Sequence, residues 1–299
     1  MSPSEVHRAA AHHVGPDVER PAPPPEHESP AATGSGRRSQ GTRLSAEEIH
    51  ENVRKAGEEE LERPVSELAW SALTAGLAMG FSLVAGAYLA SLAEGHAREA
   101  AAAAGYPLGF IFVVLARNQL FTENTLHPVI PLLHHHDGET LRKMLRLWAV
   151  VLAGNLVGAL LFGLVAARTT MFDAPLRVDM IEVARHGTEG TFGFVFYRAI
   201  FGGWLVALMA WLVASTRHTG AQMALIWLAT APIAAFGFRH SIAGAAEAFY
   251  RAAAGDAAWS AMLGSFLGPA LLGNVVGGVT LVALLNHAQV AASKKREGK

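Results

Sequence analysis

From Leu68 to His287 the chain is a succession of long apolar runs separated by short polar connections. Several runs exceed the roughly 18–20 residues that a helix needs to cross a bilayer. Most of them lack the polar stripe of a soluble helix. Six spans are predicted, near residues 68–93, 106–133, 143–167, 192–215, 221–252 and 259–286. The second and fifth are long, and polar residues interrupt them: Arg117–Thr125 in the second and Gly237–Ser241 in the fifth. The connection at 168–191 carries Asp173, Asp179, Glu182 and Glu189 and reads as aqueous.

The flanks follow a different pattern. Residues 1–43 are rich in Pro, Ser, His, Ala and charge, cannot pack a core, and are predicted to be a disordered tail. Over 44–64 an amphipathic helix is predicted, because Ser45 and Glu48 fit a capping box and Pro64 marks the end. Its apolar positions include Ile49, Val53 and Leu61. A helix lying on the cytoplasmic face of the membrane and a merely solvated helix fit this pattern equally well. The transmembrane domain is then 65–290, followed by a basic cytoplasmic tail over 291–299.

Two internal matches organise the spans. The third contains Gly154-Asn155-Leu156-Val157-Gly158 and the sixth Gly273-Asn274-Val275-Val276-Gly277. These copies lie three spans apart, and an odd number of spans inverts a segment across the membrane. Small residues at this spacing let helix backbones approach closely. The polar interruptions repeat too: Thr122 and His240 precede the two motifs by nearly the same distance. Irregular backbone at membrane depth is tolerated only where it lines a cavity or is buried in protein, so paired breaks point to a transport site. The expected fold is therefore an all-α membrane protein of six transmembrane helices, built as two inverted three-helix repeats with broken second and fifth helices.

Composition narrows the function classes. The chain is 51% hydrophobic and 16% charged, with net charge −1 and its basic residues scattered, so no nucleic-acid partner is expected. The absence of cysteine excludes disulfides, thiolate metal sites and thiol catalysis. No short apolar run with a cleavage site marks the N-terminus, so no cleaved signal peptide is expected. Basic residues near the span ends (Arg54, Lys55, Arg63, Arg142, Lys143, Arg146, Arg217 and Lys294–Arg296 against Arg98, Arg168, Arg177, Arg185 and Arg251) put both termini in the cytoplasm of an inner-membrane, multi-pass protein. The spans carry no HExxH, no GxSxG and no paired carboxylates, so no catalytic residues and no enzyme are predicted. In His134-His135-His136-Asp137 consecutive side chains diverge, and neither a metal nor a cofactor is predicted.

The Leu120-Phe121-Thr122 segment, the Gly237-Phe238-Arg239-His240-Ser241-Ile242-Ala243 stretch and the final Gly273-Asn274-Val275-Val276-Gly277-Gly278 resemble the formate/nitrite transporter family. The resemblance covers about residues 65–290. It implies an aquaporin-like protomer, assembly as a homopentamer with one pore per protomer, and passage of a small monovalent anion or its weak acid, with proton coupling. It assigns Leu120, Phe121 and Thr122 to the loop of the second span, with Tyr106 and Phe110 at the apolar constriction upstream. It makes His240 the central histidine and puts Ile233 at the second constriction, where an aromatic is usual. The sequence departs from the family at Arg239, where an acidic residue is usual. A further departure is at Gly187, flanked by Arg185 and His186, where a lysine is usual, and another at Gly202 and Gly203, in place of an asparagine. Arg117 and Arg198 are extra intramembrane cations. This describes a divergent branch.

The residues themselves allow simpler roles. A membrane histidine can bond helices together, and a threonine can bond its own backbone. Tyr106 and Phe110 can be packing aromatics. Arg117, Arg198 and Arg239 can attract anions or hold helices together, and Glu123 is available as a partner for one of them. Transport of another small solute and a non-conducting membrane scaffold stand as alternative functions.

Overall fold

The computed structural model describes residues 44–297, with side chains through Ala292, so the tail expected over 1–43 lies outside the described residues. The described chain is helical throughout. Helix α1 (Ala46–Glu62) starts at a capping box in which Ser45 Oγ accepts from Glu48 N at 3.2 Å and Glu48 Oε2 accepts from Ser45 N at 2.9 Å. Its apolar face buries Val53 and Leu61 against the helices behind it.

The first repeat comprises α2 (Val65–Ser91), the interrupted second crossing and α6 (Gly138–Arg168). The second crossing begins at His96, ten residues before the predicted start, as α3 (His96–Gly105) followed by α4 (Pro107–Leu115). Its polar first turn hides it from a hydropathy reading: Arg98 pairs with Asp179 and with Glu182 at 2.8 Å, both on the connection between the repeats. After α4 comes an irregular stretch with a 3₁₀ turn (Glu123–Thr125), and then α5 (Val129–His135). The aqueous connection holds α7 (Ala174–Thr188), capped by Asp173 and packed on the membrane helices through Met180 and Ala184.

The second repeat repeats the plan. It comprises α8 (Phe192–Val213), then α9 (Thr219–Ala235) and α10 (Ser241–Ala254) with a break between them, and a long final helix. That helix runs from α11 (Trp259–Ala261) through α12 (Gly268–Gly278) to α13 (Leu285–Glu297), joined by two π-helical segments. Five helical stretches are long and apolar enough to cross a membrane, and the shorter α9 is apolar as well. With α10 it completes a sixth crossing. Trp70, Tyr197, Leu228 and Phe236 lie on the outside, each more than 60% exposed, as expected of a surface that meets lipid or another protomer.

The repeated motif explains how the halves close. In each copy the glycines face the first helix of their own repeat. A Cβ on Gly76 of α2 would overlap the Asn155 carbonyl, and one on Gly203 of α8 would overlap the Asn274 carbonyl. Likewise Gly158 meets the Leu73 carbonyl and Gly277 the Ile200 carbonyl. The two helix pairs therefore pack backbone to backbone at matching positions, which is what small residues permit in a membrane.

Candidate functional site

The breaks need partners for backbone groups that no helix satisfies and that lipid cannot hydrate. One asparagine in each repeat supplies them. Asn155 Oδ1 accepts from Phe121 N at 2.8 Å, and its Nδ2 donates to the carbonyls of Ala72 and Gln119, each at 2.8 Å. Asn274 Oδ1 accepts from Ser241 N at 2.7 Å, and its Nδ2 donates to the carbonyls of Ala199 and Arg239, at 2.7 and 2.9 Å. Both side chains are fully buried. The same three bonds occur twice, so Phe121 is the counterpart of Ser241 and Leu120 the counterpart of His240. Sequence spacing had paired His240 with Thr122 instead. Reading the motif as a small-residue packing signal also missed the asparagine; the signal was its recurrence between the glycines of both copies.

Thr122 and His240 are contact partners rather than symmetry mates. His240 Nε2 lies 2.7 Å from Thr122 Oγ1, while its Nδ1 caps α10 by accepting from Ala243 N at 3.0 Å. A nitrogen that accepts a backbone N–H carries no proton, so the proton sits on Nε2 and is donated to Thr122. The Phe110 ring lies 4.8 Å from the imidazole, and Tyr106 lies 5.4 Å beyond Phe110. Leu120, Phe121 and Ile233 belong to the same apolar cluster as Tyr106 and Phe110. All seven sequence-predicted pathway residues are thus brought together, and none is more than 7% exposed. Around the first break, Trp148 Nε1 donates to the Asn124 carbonyl at 2.8 Å, Asn124 Nδ2 to Gln119 Oε1 at 2.8 Å, and Thr125 Oγ1 to the Thr122 carbonyl at 2.7 Å.

The three arginines separate into different environments. Arg198 donates from Nη1 to the carbonyls of Phe236 and Gly237, at 3.0 and 2.9 Å, closing the end of α9, and stacks 4.5 Å over the Phe194 ring. A cation suits the carbonyl end of a helix. Arg239 is buried beside His240 and donates to the carbonyls of Gly237 at 2.9 Å and Glu189 at 3.2 Å, while its Nε has no partner. Arg117 is exposed and has a left-handed backbone, φ 55°, where α4 ends. Glu123 pairs with none of them: it sits buried in the first break near His127 and Glu60, and His127 Nδ1 lies 3.1 Å from Glu60 Oε1. The histidine run ends α5, with His135 Nε2 3.1 Å from Glu58 Oε1 and His136 in the left-handed conformation.

Glu247 of α10 was not singled out in the sequence. It sits in an Ala-rich helix, is 4% exposed, and its carboxylate presses against Gly187 of α7. At the aqueous end of the same helix, Arg251 Nε donates to Asp256 at 2.7 Å and Arg185 Nε to the same carboxylate at 3.0 Å. Hydrogen bonds from Arg185, and then from Arg251, hold the Asp256 carboxyl below its usual range.

Comparison with known proteins gives consistent matches. A family model described as formate/nitrite transporter matches residues 47–288. The inner membrane protein YfdC of Escherichia coli (strain K12) is 33% identical over 243 residues, 81% of this chain and 78% of that protein. A probable formate transporter of Methanothermobacter thermautotrophicus is 27% identical over 193 residues, 54% of this chain and 70% of that one. Among solved structures, an FNT family ion channel superposes with a TM-score of 0.66 at 22% identity, covering 80% of this chain and 96% of that one. A pentameric formate channel with formate bound superposes with a TM-score of 0.60 at 23% identity, covering 78% and 96%. These last two likenesses establish the fold.

Proposed function

The chain belongs to the formate/nitrite transporter family, and we propose that each protomer conducts a small monovalent anion of the formate or nitrite type, or its conjugate acid, between the two breaks. The observation that carries this is the Thr122–His240 hydrogen bond, buried between two irregular segments that two asparagines hold open in the same way.

The physical sequence runs as follows. Tyr106 and Phe110 on one side, and Leu120, Phe121 and Ile233 on the other, form apolar constrictions that strip water from an entering ion. Desolvation disfavours the charged form, which shifts the solute toward its protonated acid. At the centre, Nε2–H of His240 and the Thr122 hydroxyl exchange their mutual bond for bonds to the solute, replacing part of its lost hydration. A small planar carboxylate or nitrite fits two adjacent donors; a large or multiply charged ion does not. Protons accompany the solute when it crosses as the acid. No catalytic step is assigned to any residue.

Arg198 is read as structural, since both of its carbonyl partners end α9. Arg239 is read as the cation that attracts the anion. Arg117 supports assembly. A guanidinium facing lipid near the bilayer centre costs at least about 2.5–3.5 kcal/mol, and covering that flank with a neighbouring protomer removes the cost. A pentamer in the bilayer, following the solved formate channel, with both termini cytoplasmic on the distribution of basic residues near the span ends, is the assembly that this reading takes.

Stopped-flow uptake into proteoliposomes, comparing formate, nitrite, acetate, hydrosulfide and a neutral polar solute, tests the reading. Fast entry of one or more weak-acid anions, with none of the neutral solute, is expected. A folded protein that passes no anion would return the chain to the alternatives of another solute or a scaffold.

A further inference from the structure

His240 and Glu247 lie seven residues apart on α10, two turns of helix, which puts them on the same face roughly 10 Å apart along the axis. Glu247 is 4% exposed, yet among the described residues its carboxylate makes no hydrogen bond and no direct ion pair. The groups that face it are known. From the break comes Arg239 and from its own helix Arg251, while Tyr106 interacts with it from the α3–α4 junction and Gly187 is pressed against it from α7. Arg251 is already neutralised, by Asp256 at 2.7 Å and Glu189 at 3.0 Å. Arg198, close to Arg239, adds positive charge and is held by two carbonyls and the Phe194 ring. Arg239 has two carbonyl partners, one unpartnered N–H and no carboxylate in contact. An unpaired carboxylate and an unpaired guanidinium therefore sit within electrostatic reach of each other, beside the aromatic constriction and the central histidine.

An isolated charge at this burial is costly unless it is paired or neutralised. A carboxylate can become neutral by taking up a proton; a guanidinium cannot lose one. We propose that Glu247 is the proton-linked charge that sets anion access to the pathway: protonated, it leaves Arg239 free to draw a monovalent anion toward His240, and ionised, it cancels Arg239 and repels the anion. The proposal rests on the reading of the chain as an anion pathway. It adds a proton site distinct from His240, and predicts acid-activated conduction beyond what the solute's own protonation supplies.

The test is formate flux in proteoliposomes across a pH series for wild type, Glu247→Gln and Glu247→Asp. The ratio of variant to wild type at each pH cancels the speciation of the solute. Gln imitates the protonated acid, so the Glu247→Gln ratio should be roughly tenfold at alkaline pH, the size of one unit charge acting over about 10 Å, and fall to one at acid pH. A ratio that does not change with pH overturns the proposal. If Glu247→Gln fails to assemble, Glu247→Asp carries the test, because it should move the pH midpoint of flux; an unmoved midpoint is the overturning result. Infrared difference spectra of the same proteins, titrated with acid, give a readout without transport. A carboxylic C=O band should appear in wild type and be lost in Glu247→Gln or displaced in Glu247→Asp, whereas a band that both variants leave unmoved overturns the proposal. Wild type that conducts no anion at any pH would overturn the proposed function, and the infrared titration would still decide whether Glu247 takes up the proton.

Discussion

The two breaks share a frame and differ in what the frame presents. In the first, Asn155 fixes a long irregular stretch that is further bonded through Gln119, Asn124 and Trp148, and the residue at its centre is Leu120. In the second, Asn274 fixes a short gap between α9 and α10, and the residue at the matching position is His240. What the repeat conserves is backbone satisfaction and helix contact, which the fold requires in both halves. What it leaves free is the side chain at the centre, where one half offers an apolar surface and the other a hydrogen-bond donor. An apolar wall facing a polar donor can strip an ion and then rebind it, and two identical centres could do only one of these things.

The largest effect should come from breaking the shared frame. Asn155→Leu leaves Phe121 N and the Gln119 carbonyl without partners, and Asn274→Leu leaves Ser241 N and the Arg239 carbonyl, two buried backbone groups each, at about 1–3 kcal/mol apiece. Each is expected to lower thermal stability of the purified protein by at least about 2 kcal/mol or to abolish assembly. The account requires similar losses at both positions; a loss confined to one half would break the equivalence. Gly76→Ala and Gly203→Ala test it from the packing side, since each new Cβ meets a carbonyl of the opposite asparagine.

Next in size is the centre itself. Thr122→Val keeps the shape and removes the hydroxyl that faces His240. A lost hydrogen bond of about 1 kcal/mol corresponds to a roughly fivefold fall in anion flux, with the fold unchanged by circular dichroism. An unchanged rate would mean that Thr122 only packs.

The smallest effect concerns the aqueous end of the second half. Asp256 is held below the usual carboxyl range by Arg185 and Arg251. A depressed carboxyl contributes stability above its unfolded value of about 4 and loses it as pH falls through its lower folded value. Asp256→Asn should therefore destabilise the protein at neutral pH, on the order of 1 kcal/mol, and show less further loss below pH ~4 than wild type does. Identical acid limbs in thermal melts of the two proteins would refute the assignment.

Much of this was legible before any coordinates. The apolar runs predicted the crossings because hydropathy over some twenty residues is a strong signal. The motif repeated three spans apart marked where the two halves match, but read as a small-residue packing signal it did not single out Asn155 and Asn274. The start of the second crossing was misplaced because His96, Arg98 and Glu99 open it with polar residues, one of which is paired with α7. Sequence spacing also matched Thr122 to His240. Lengths alone cannot tell a long break from a short one, and the asparagine bonds set the true register. Glu247 could not be found in the sequence at all. Its meaning comes from Gly187 and Arg239, which only the packing of α7 and the second break brings to it.

The central claim is that the two matching positions, Leu120 and His240, do different work, and one paired measurement tests it most directly. Formate uptake into proteoliposomes would be followed across pH for wild type, His240→Ala and Leu120→Ala at equal protein density. The account predicts that His240→Ala reduces uptake strongly or removes its pH dependence, while Leu120→Ala keeps uptake and its pH dependence and relaxes the size limit on the solute. Equal effects of the two substitutions, or full uptake with normal pH dependence in His240→Ala, would contradict it.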